Sequence, residues 1–166
     1  MLNITSSAPA LPPMLVIDDN QATRHSLASL LHVHGYRVSE SSDREAAFSL
    51  LAASAERLIV LVDVWLPNLD AMALLQAVAS HPELARRHAY IVLTAFTANA
   101  TGYPLPSRLT AFLAQLHSPM LARPFDIDEL LRLLLAAQQR LVIETEAEAE
   151  ADVSSPSGAP RSVTWL

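Results

Sequence analysis

Hydrophobic and polar positions follow two alternating periods along this chain. Met14-Leu15-Val16-Ile17 is a short, uninterrupted apolar run, as expected of a strand covered on both faces. Over residues 21–34 the period changes: Leu27, Leu30, Leu31 and Val33 recur at helical spacing, and Gly35 stands where a helix ends on a left-handed residue. Tyr36–Ser39 reads as a second strand. Ser42-Asp43-Arg44-Glu45 then has capping-box spacing ahead of Ala46, Ala47, Phe48, Leu50 and Leu51. Leu58–Val62 predicts a third strand. Met72, Leu74, Leu75 and Val78 predict a helix near 70–80, and Tyr90–Leu93 a fourth strand. A helix is expected around 107–117 and a short fifth strand at Met120–Ala122. Asp126-Ile127-Asp128-Glu129 opens a leucine-rich helix expected to end near residue 141.

Five apolar strands alternating with five helices predict an α/β fold: a doubly wound, five-stranded parallel sheet joined by right-handed crossovers. Three segments follow from the pattern. Residues 1–13, polar and proline-bearing, are a flexible lead-in; 14–141 are the folded domain; 142–166 are an acidic tail whose Ser, Pro and Gly cluster predicts disorder. The tail holds five acids and one Arg, so most of the net charge of -6 lies there and the body is nearly neutral.

The composition narrows the function classes. A chain of 166 residues, 51% hydrophobic and 17% charged, suits one globular domain. Acids outnumber bases 17 to 11 and no basic patch is visible, which argues against nucleic acid. Without cysteine there are no disulfides and no thiolate metal sites. No apolar run nears the ~18 residues of a membrane span, and the N-terminus lacks signal-peptide character, so a cytoplasmic protein is expected. All 11 basic residues are Arg.

Ligands of such sheets bind beyond the carboxyl ends of the strands. There the chain carries Asp18 and Asp19 after strand one, Asp63 at the end of strand three, Thr94 at the end of strand four and Arg123 after strand five. Singly most of these are ordinary: caps, turn residues, a surface charge; Asp63, which ends a five-residue apolar strand beside buried surface, is harder to dismiss. Together they form a coherent chemistry. Clustered carboxylates repel one another, and a hard divalent cation such as Mg²⁺, which takes oxygen ligands and bridges carboxylates to phosphate, relieves that. A hydroxyl and a guanidinium then serve the phosphoryl oxygens. Elsewhere the signals are weak. His32 and His34 point to different faces of a helix, and Glu144, Glu146, Glu148 and Glu150 read as a solvated run. No Gly-rich phosphate loop, nucleophile elbow or HExxH is present.

Leu15-Val16-Ile17-Asp18-Asp19-Asn20, the stretch Asp63-Val64-Trp65-Leu66-Pro67-Asn68-Leu69-Asp70, Leu93-Thr94-Ala95 and Arg123-Pro124-Phe125 resemble the receiver domain of bacterial two-component response regulators. The resemblance covers about residues 14–141 and implies the flavodoxin-like, CheY-like strand order 2-1-3-4-5. It implies that Asp63 accepts a phosphoryl group from a histidine kinase. Asp18, Asp19, Asp63 and the backbone carbonyl of Trp65 would hold Mg²⁺, Thr94 would bind a phosphoryl oxygen, and the Arg123–Pro124 bond would be cis.

The chain departs from the family at several positions. Arg123 stands where the family has Lys, and the two are not equivalent. Ala71 replaces a usual Gly, Met120 replaces an aromatic switch residue, and the segment from Thr94 to Arg123 is longer than usual. Trp65 and Phe96, which by the resemblance flank the path of water to the acyl phosphate, cannot orient water, so slow dephosphorylation is expected.

The reading is a single-domain response regulator that signals through a protein partner or passes the phosphoryl group onward in a phosphorelay. Its partners would be a sensor histidine kinase or a histidine phosphotransfer protein. A homodimer through the fourth or fifth helix is expected from the leucines at 130–135. Its only catalysis would be its own phosphorylation and dephosphorylation. One alternative is a pseudo-receiver, a phosphorylation-independent interaction or dimerisation module. The other, a Mg²⁺-dependent phosphohydrolase, matches the motifs less well and lacks a cap domain.

Overall fold

The computed structural model describes residues 10–64, 69–95 and 107–154. The elements run β1 Met14–Ile17, α1 Gln21–Val33, β2 Val38–Ser41, α2 Arg44–Ala53, β3 Ile59–Asp63 and α3 Leu69–Ala79. They continue with α4 Pro82–Arg87, β4 Ala89–Thr94, α5 Ser107–Gln115, β5 Met120–Ala122 and α6 Ile127–Ser154. All strand pairs are parallel, in the order β2-β1-β3-β4-β5. This is the doubly wound sheet that the pattern predicts.

The uninterrupted apolar strands have a direct cause. Successive side chains of a strand face opposite sides, so a strand covered on both faces is apolar at every position. Leu15, Ile17, Val60, Val62, Tyr90 and Val92 pack on the face covered by α2, α3 and α5. Met14, Val16, Ile59, Leu61, Ile91 and Leu93 pack on the other, against Leu27 and Leu31 of α1 and Leu130 and Leu134 of α6. β2, at the edge, is the exception, with Ser39 and Glu40 exposed.

Four details differ from the expectation. β2 begins two residues later, because Gly35 takes a positive φ of 86° and Tyr36 N–H is spent on the Leu31 carbonyl, which ends α1. Asp43, not Ser42, caps α2, its Oδ1 accepting from the Glu45 and Ala46 N–H groups at 2.6 and 3.2 Å. The short α4 was not foreseen; its single turn and a half carries no buried residue to mark a period.

The fourth difference is the largest. The chain is helical well past 141, through the Glu-Ala alternation to Ser154, so the first part of the expected disordered tail is structured. Ala and Glu are strong helix formers, and a helix already nucleated on the core extends at little cost. Arg57 and Arg140 meet Glu144 at 3.5 and 3.1 Å, and Arg57 also meets Glu148, so the run is in part an ion-paired face.

Of the leucines at 130–135, Leu130 and Leu134 are buried and Leu131 and Leu133 pack at the core margin; Leu135 stays exposed, as do Val142 and Ile143. Ala71 lies buried inside α3, where the backbone needs no left-handed residue. Met120 packs beside the core on the α3 and α5 side.

Candidate functional site

Parallel pairing sets the site. Ile17 pairs with Val62, Asp63 with Leu93, and Thr94 with Ala122, so all four strands end at one edge. Two further ladder bonds extend them into the loops: Val64 N–H to the Leu93 carbonyl at 2.8 Å and Arg123 N–H to the Thr94 carbonyl at 2.7 Å. Arg123 follows β5 directly, and the Arg123–Pro124 bond is cis.

At that edge Asp18 is buried. Its Oδ1 accepts from the Asn20 N–H at 2.8 Å, and its carbonyl accepts from Arg24 Nη1 at 2.7 Å. Asn20 caps α1 in turn, its side chain accepting from Thr23 N–H. The other Asp18 oxygen, Oδ2, lies 3.2 Å from Arg123 Nη2, and the same nitrogen lies 3.4 Å from Asp63 Oδ2. One guanidinium nitrogen therefore bridges two carboxylates. Asp63 Oδ1 and Arg123 Nε are buried without a hydrogen-bond partner. Burial pushes the Asp63 carboxyl up to about 6; Asp18 and Asp19 push the same way, and Arg123 opposes them.

A cleft of about 70 Å³ opens above this pair, lined by Asp18, Asp19, Asp63, Ser42, Asp43 and Arg44. Asp19 is exposed at its wall. Thr94 is buried at the end of β4. On the other side of Arg123 an apolar groove of about 740 Å³ runs between α1 and the segment after β5.

The structure brings Asp18, Asp63 and Arg123 into contact, places Asp19 on the same cleft and Thr94 on the neighbouring strand end. Trp65 and Phe96 lie outside the described residues. Four contributors escaped the sequence reading. Ser42, Asp43 and Arg44 follow β2 as Asp18 follows β1, and ending β2 at Ser41 instead of Ser39 points to them. Arg24, which holds the Asp18 carbonyl and pairs with Glu40 at 3.3 Å, has no signature in the sequence.

Among the described residues no three His, Asp or Glu side chains form a ready-made metal cluster. The donor chemistry still fits a hard divalent cation: two neighbouring carboxylates, one with a buried oxygen lacking any partner, beside a third carboxylate on the cleft wall. A fixed cation, Arg123, sits between the first two.

Residues 14–135 match the family model of the response regulator receiver domain. Response regulator MprA of Mycobacterium avium (strain 104) is 30% identical over 138 residues, covering 83% of this chain and 56% of the relative. The chain thus spans about half the length of the curated relatives it matches. Among solved structures, the receiver domain of Francisella response regulator 1452 superposes with a TM-score of 0.61 at 21% identity, over 78% of this chain and 98% of that one. Vibrio cholerae chemotaxis protein CheY4 gives 0.61 at 20% identity, over 77% and 99%. At these identities the two structures speak for the fold alone.

Proposed function

This chain belongs to the response regulator receiver domain family, and from that premise we propose that Asp63 is its phosphoacceptor. Receiver domains are signalling modules of two-component systems rather than conventional enzymes, and accepting a phosphoryl group is general to the family. The observation that carries the assignment here is Asp63 itself. It closes a buried strand, faces the acidic cleft, contacts Arg123 and keeps one buried oxygen without a partner.

The proposed reaction is attack of an Asp63 carboxylate oxygen on the phosphorus of a kinase or phosphotransfer phosphohistidine. The new P–O bond forms as the P–N bond breaks, and the imidazole, protonated on its other ring nitrogen, leaves as the neutral base. Burial works against an ionised Asp63 and Arg123 works for it, so Arg123 helps keep the nucleophile charged. Thr94, at the end of β4, would donate to a phosphoryl oxygen. Asp18, Asp19 and Asp63, with the Trp65 carbonyl, would hold Mg²⁺, which neutralises charge on the transferring group.

The apolar groove of α1, walled by Ala22, Ser26, Leu30 and Phe125, shares Arg123 with the acidic site, and a histidine-bearing helical partner would seat there. Exposed Leu135, Val142 and Ile143 on α6 support a homodimer through that helix, which sedimentation at tens of micromolar tests; a monomer there ends that assignment. No described helix is long and apolar enough to cross a membrane. A cytoplasmic module that binds proteins, not nucleic acid or membrane, fits the reading.

The deciding experiment is intact mass after incubation with acetyl phosphate and Mg²⁺. One phosphate-sized increment is expected, and it vanishes in Asp63→Asn. Its absence from a folded wild type favours the pseudo-receiver, which the Arg123 and Met120 departures would then explain.

A further inference from the structure

In a chain of net charge -6, three arginines converge on one small cavity at the amino edge of the sheet. Arg57 comes from the turn before β3, and Arg86 and Arg87 from the end of α4. With Ala55, Glu83 and Glu148 they line a space of about 320 Å³. Like charges so close repel one another, and backbone carbonyls hold them in place. Arg57 Nη1 donates to the Arg86 and Arg87 carbonyls at 3.4 Å, and Arg87 Nη2 to the Ala55 carbonyl at 2.9 Å. Arg86 Nη2 pairs with Glu83 at 2.7 Å. The Arg57 side chain is only 17% exposed. The guanidiniums are therefore set in position before any ligand arrives.

The negative charge that faces them is the chain's own. Glu144 and Glu148, one helical turn apart on α6, both meet Arg57, and Glu144 is shared with Arg140 at 3.1 Å. The hydrogen bond from Arg57 holds the Glu148 carboxyl below the usual carboxylate range, and the charges of Arg57, Arg86 and Arg87 add to it. Glu148 is nonetheless a weakly held occupant. Its side chain is 68% exposed, and no described side chain of α6 after Leu141 is buried. An exposed ion pair on a helix end without apolar packing is worth little, so its release costs little. With Glu148 withdrawn, Glu83 is the one carboxylate left lining the cavity beside three guanidiniums, among the described residues. Two positive charges are then uncompensated. Arginine forks match phosphate oxygens in pairs, and several forks around one cavity suit an anion with more than one phosphoryl centre.

We propose that this arginine cavity is a diphosphate-binding site, and that Glu148 is its tethered internal anion, which the diphosphate displaces. Binding then frees the end of α6 from Arg57, so an anion taken up at the amino edge loosens the last turns of the helix. The site lies at the opposite edge of the sheet from Asp63 and involves no phosphoryl transfer, so it does not rest on the phosphoacceptor assignment.

The test titrates the whole chain with inorganic pyrophosphate at constant ionic strength, without Mg²⁺, which would chelate the anion. Calorimetry compares wild type with Glu148→Gln and Arg86→Gln, both at exposed side chains. Glu148→Gln is expected to bind about threefold or more tightly, and Arg86→Gln about threefold or more weakly. Amide hydrogen exchange of residues 142–151 in the wild type is expected to quicken as pyrophosphate saturates. No binding at low-millimolar pyrophosphate, an affinity unchanged in either variant, or exchange that pyrophosphate leaves unmoved overturns the proposal. Sulfate, doubly charged but with one centre, is the control: binding as tight as that of pyrophosphate overturns the diphosphate assignment. ADP separates the two sources of such a group. Binding at least as tight as that of pyrophosphate makes the ligand a nucleotide's diphosphate, and weaker binding makes it the free anion. The exchange measurement needs no variant, so it decides even if a variant fails to fold.

Discussion

The two edges of the sheet carry arginine–carboxylate clusters of similar make-up and opposite character. At the amino edge Arg57 faces Glu144 and Glu148, and Arg140 faces Glu144. Those arginines also spread over backbone carbonyls: Arg140 donates to Leu116, His117 and His88 at 3.1 to 3.2 Å, and Arg57 to Arg86 and Arg87 at 3.4 Å. At the carboxyl edge Arg123 serves buried Asp18 and half-buried Asp63 through a single nitrogen, and Asp63 Oδ1 and Arg123 Nε lack a hydrogen-bond partner, as Arg140 Nε does at the other edge. Distributed charges with many partners hold elements together. Compressed charges with too few partners are costly in the folded state and hold affinity for something that completes them.

The comparison breaks first on Asp63→Asn. All phosphate-sized label is expected to be lost, and the melting midpoint without metal is expected to rise, because a charge disfavoured mainly by burial is gone. Mass spectrometry and a thermal scan read both. A fall in midpoint would make the carboxyl edge a structural cluster like the other.

The next effect belongs to His88, fully buried at the amino edge. Its Nδ1 accepts from the Leu58 N–H at 3.1 Å, and its Nε2–H donates to the Leu51 carbonyl at 3.0 Å, tying β3 to α2. His88→Leu strands both backbone groups and should cost about 2–4 kcal/mol in urea unfolding. Burial holds the imidazole down to about 4, below the ordinary 6.5. The unfolded chain therefore binds the proton first. The contribution is complete above pH 6.5 and lost as pH falls toward 4, to a total of about 3 kcal/mol. In His88→Leu that part of the pH dependence should vanish.

The smallest effect is expected where the charges are most exposed. Glu148→Gln should lower stability only slightly, and less in high salt. It should speed amide exchange in residues 142–151 without touching the phosphorylation site. Unchanged exchange would mean that helix propensity alone carries the end of α6.

The sequence by itself was enough for the five strands, their burial and the edge at which chemistry gathers. Two-sided burial forces an apolar residue at every strand position, and Leu58–Val62 or Tyr90–Leu93 show it without a fold. Asp18, Asp63 and Arg123 are legible for the same reason: each is the first charged residue after an apolar strand. Local patterns failed where the energy is not local. The Glu-Ala run reads as solvated until Arg57, 87 residues away from Glu144, supplies its counter-charge. Arg24 becomes part of the site only because a turn of α1 brings it back to the Asp18 carbonyl. The bridging of Asp18 and Asp63 by one nitrogen of Arg123 spans 105 residues of chain. Which of three charges share a seat is decided by strand register and burial, and neither is a property of the residues taken alone.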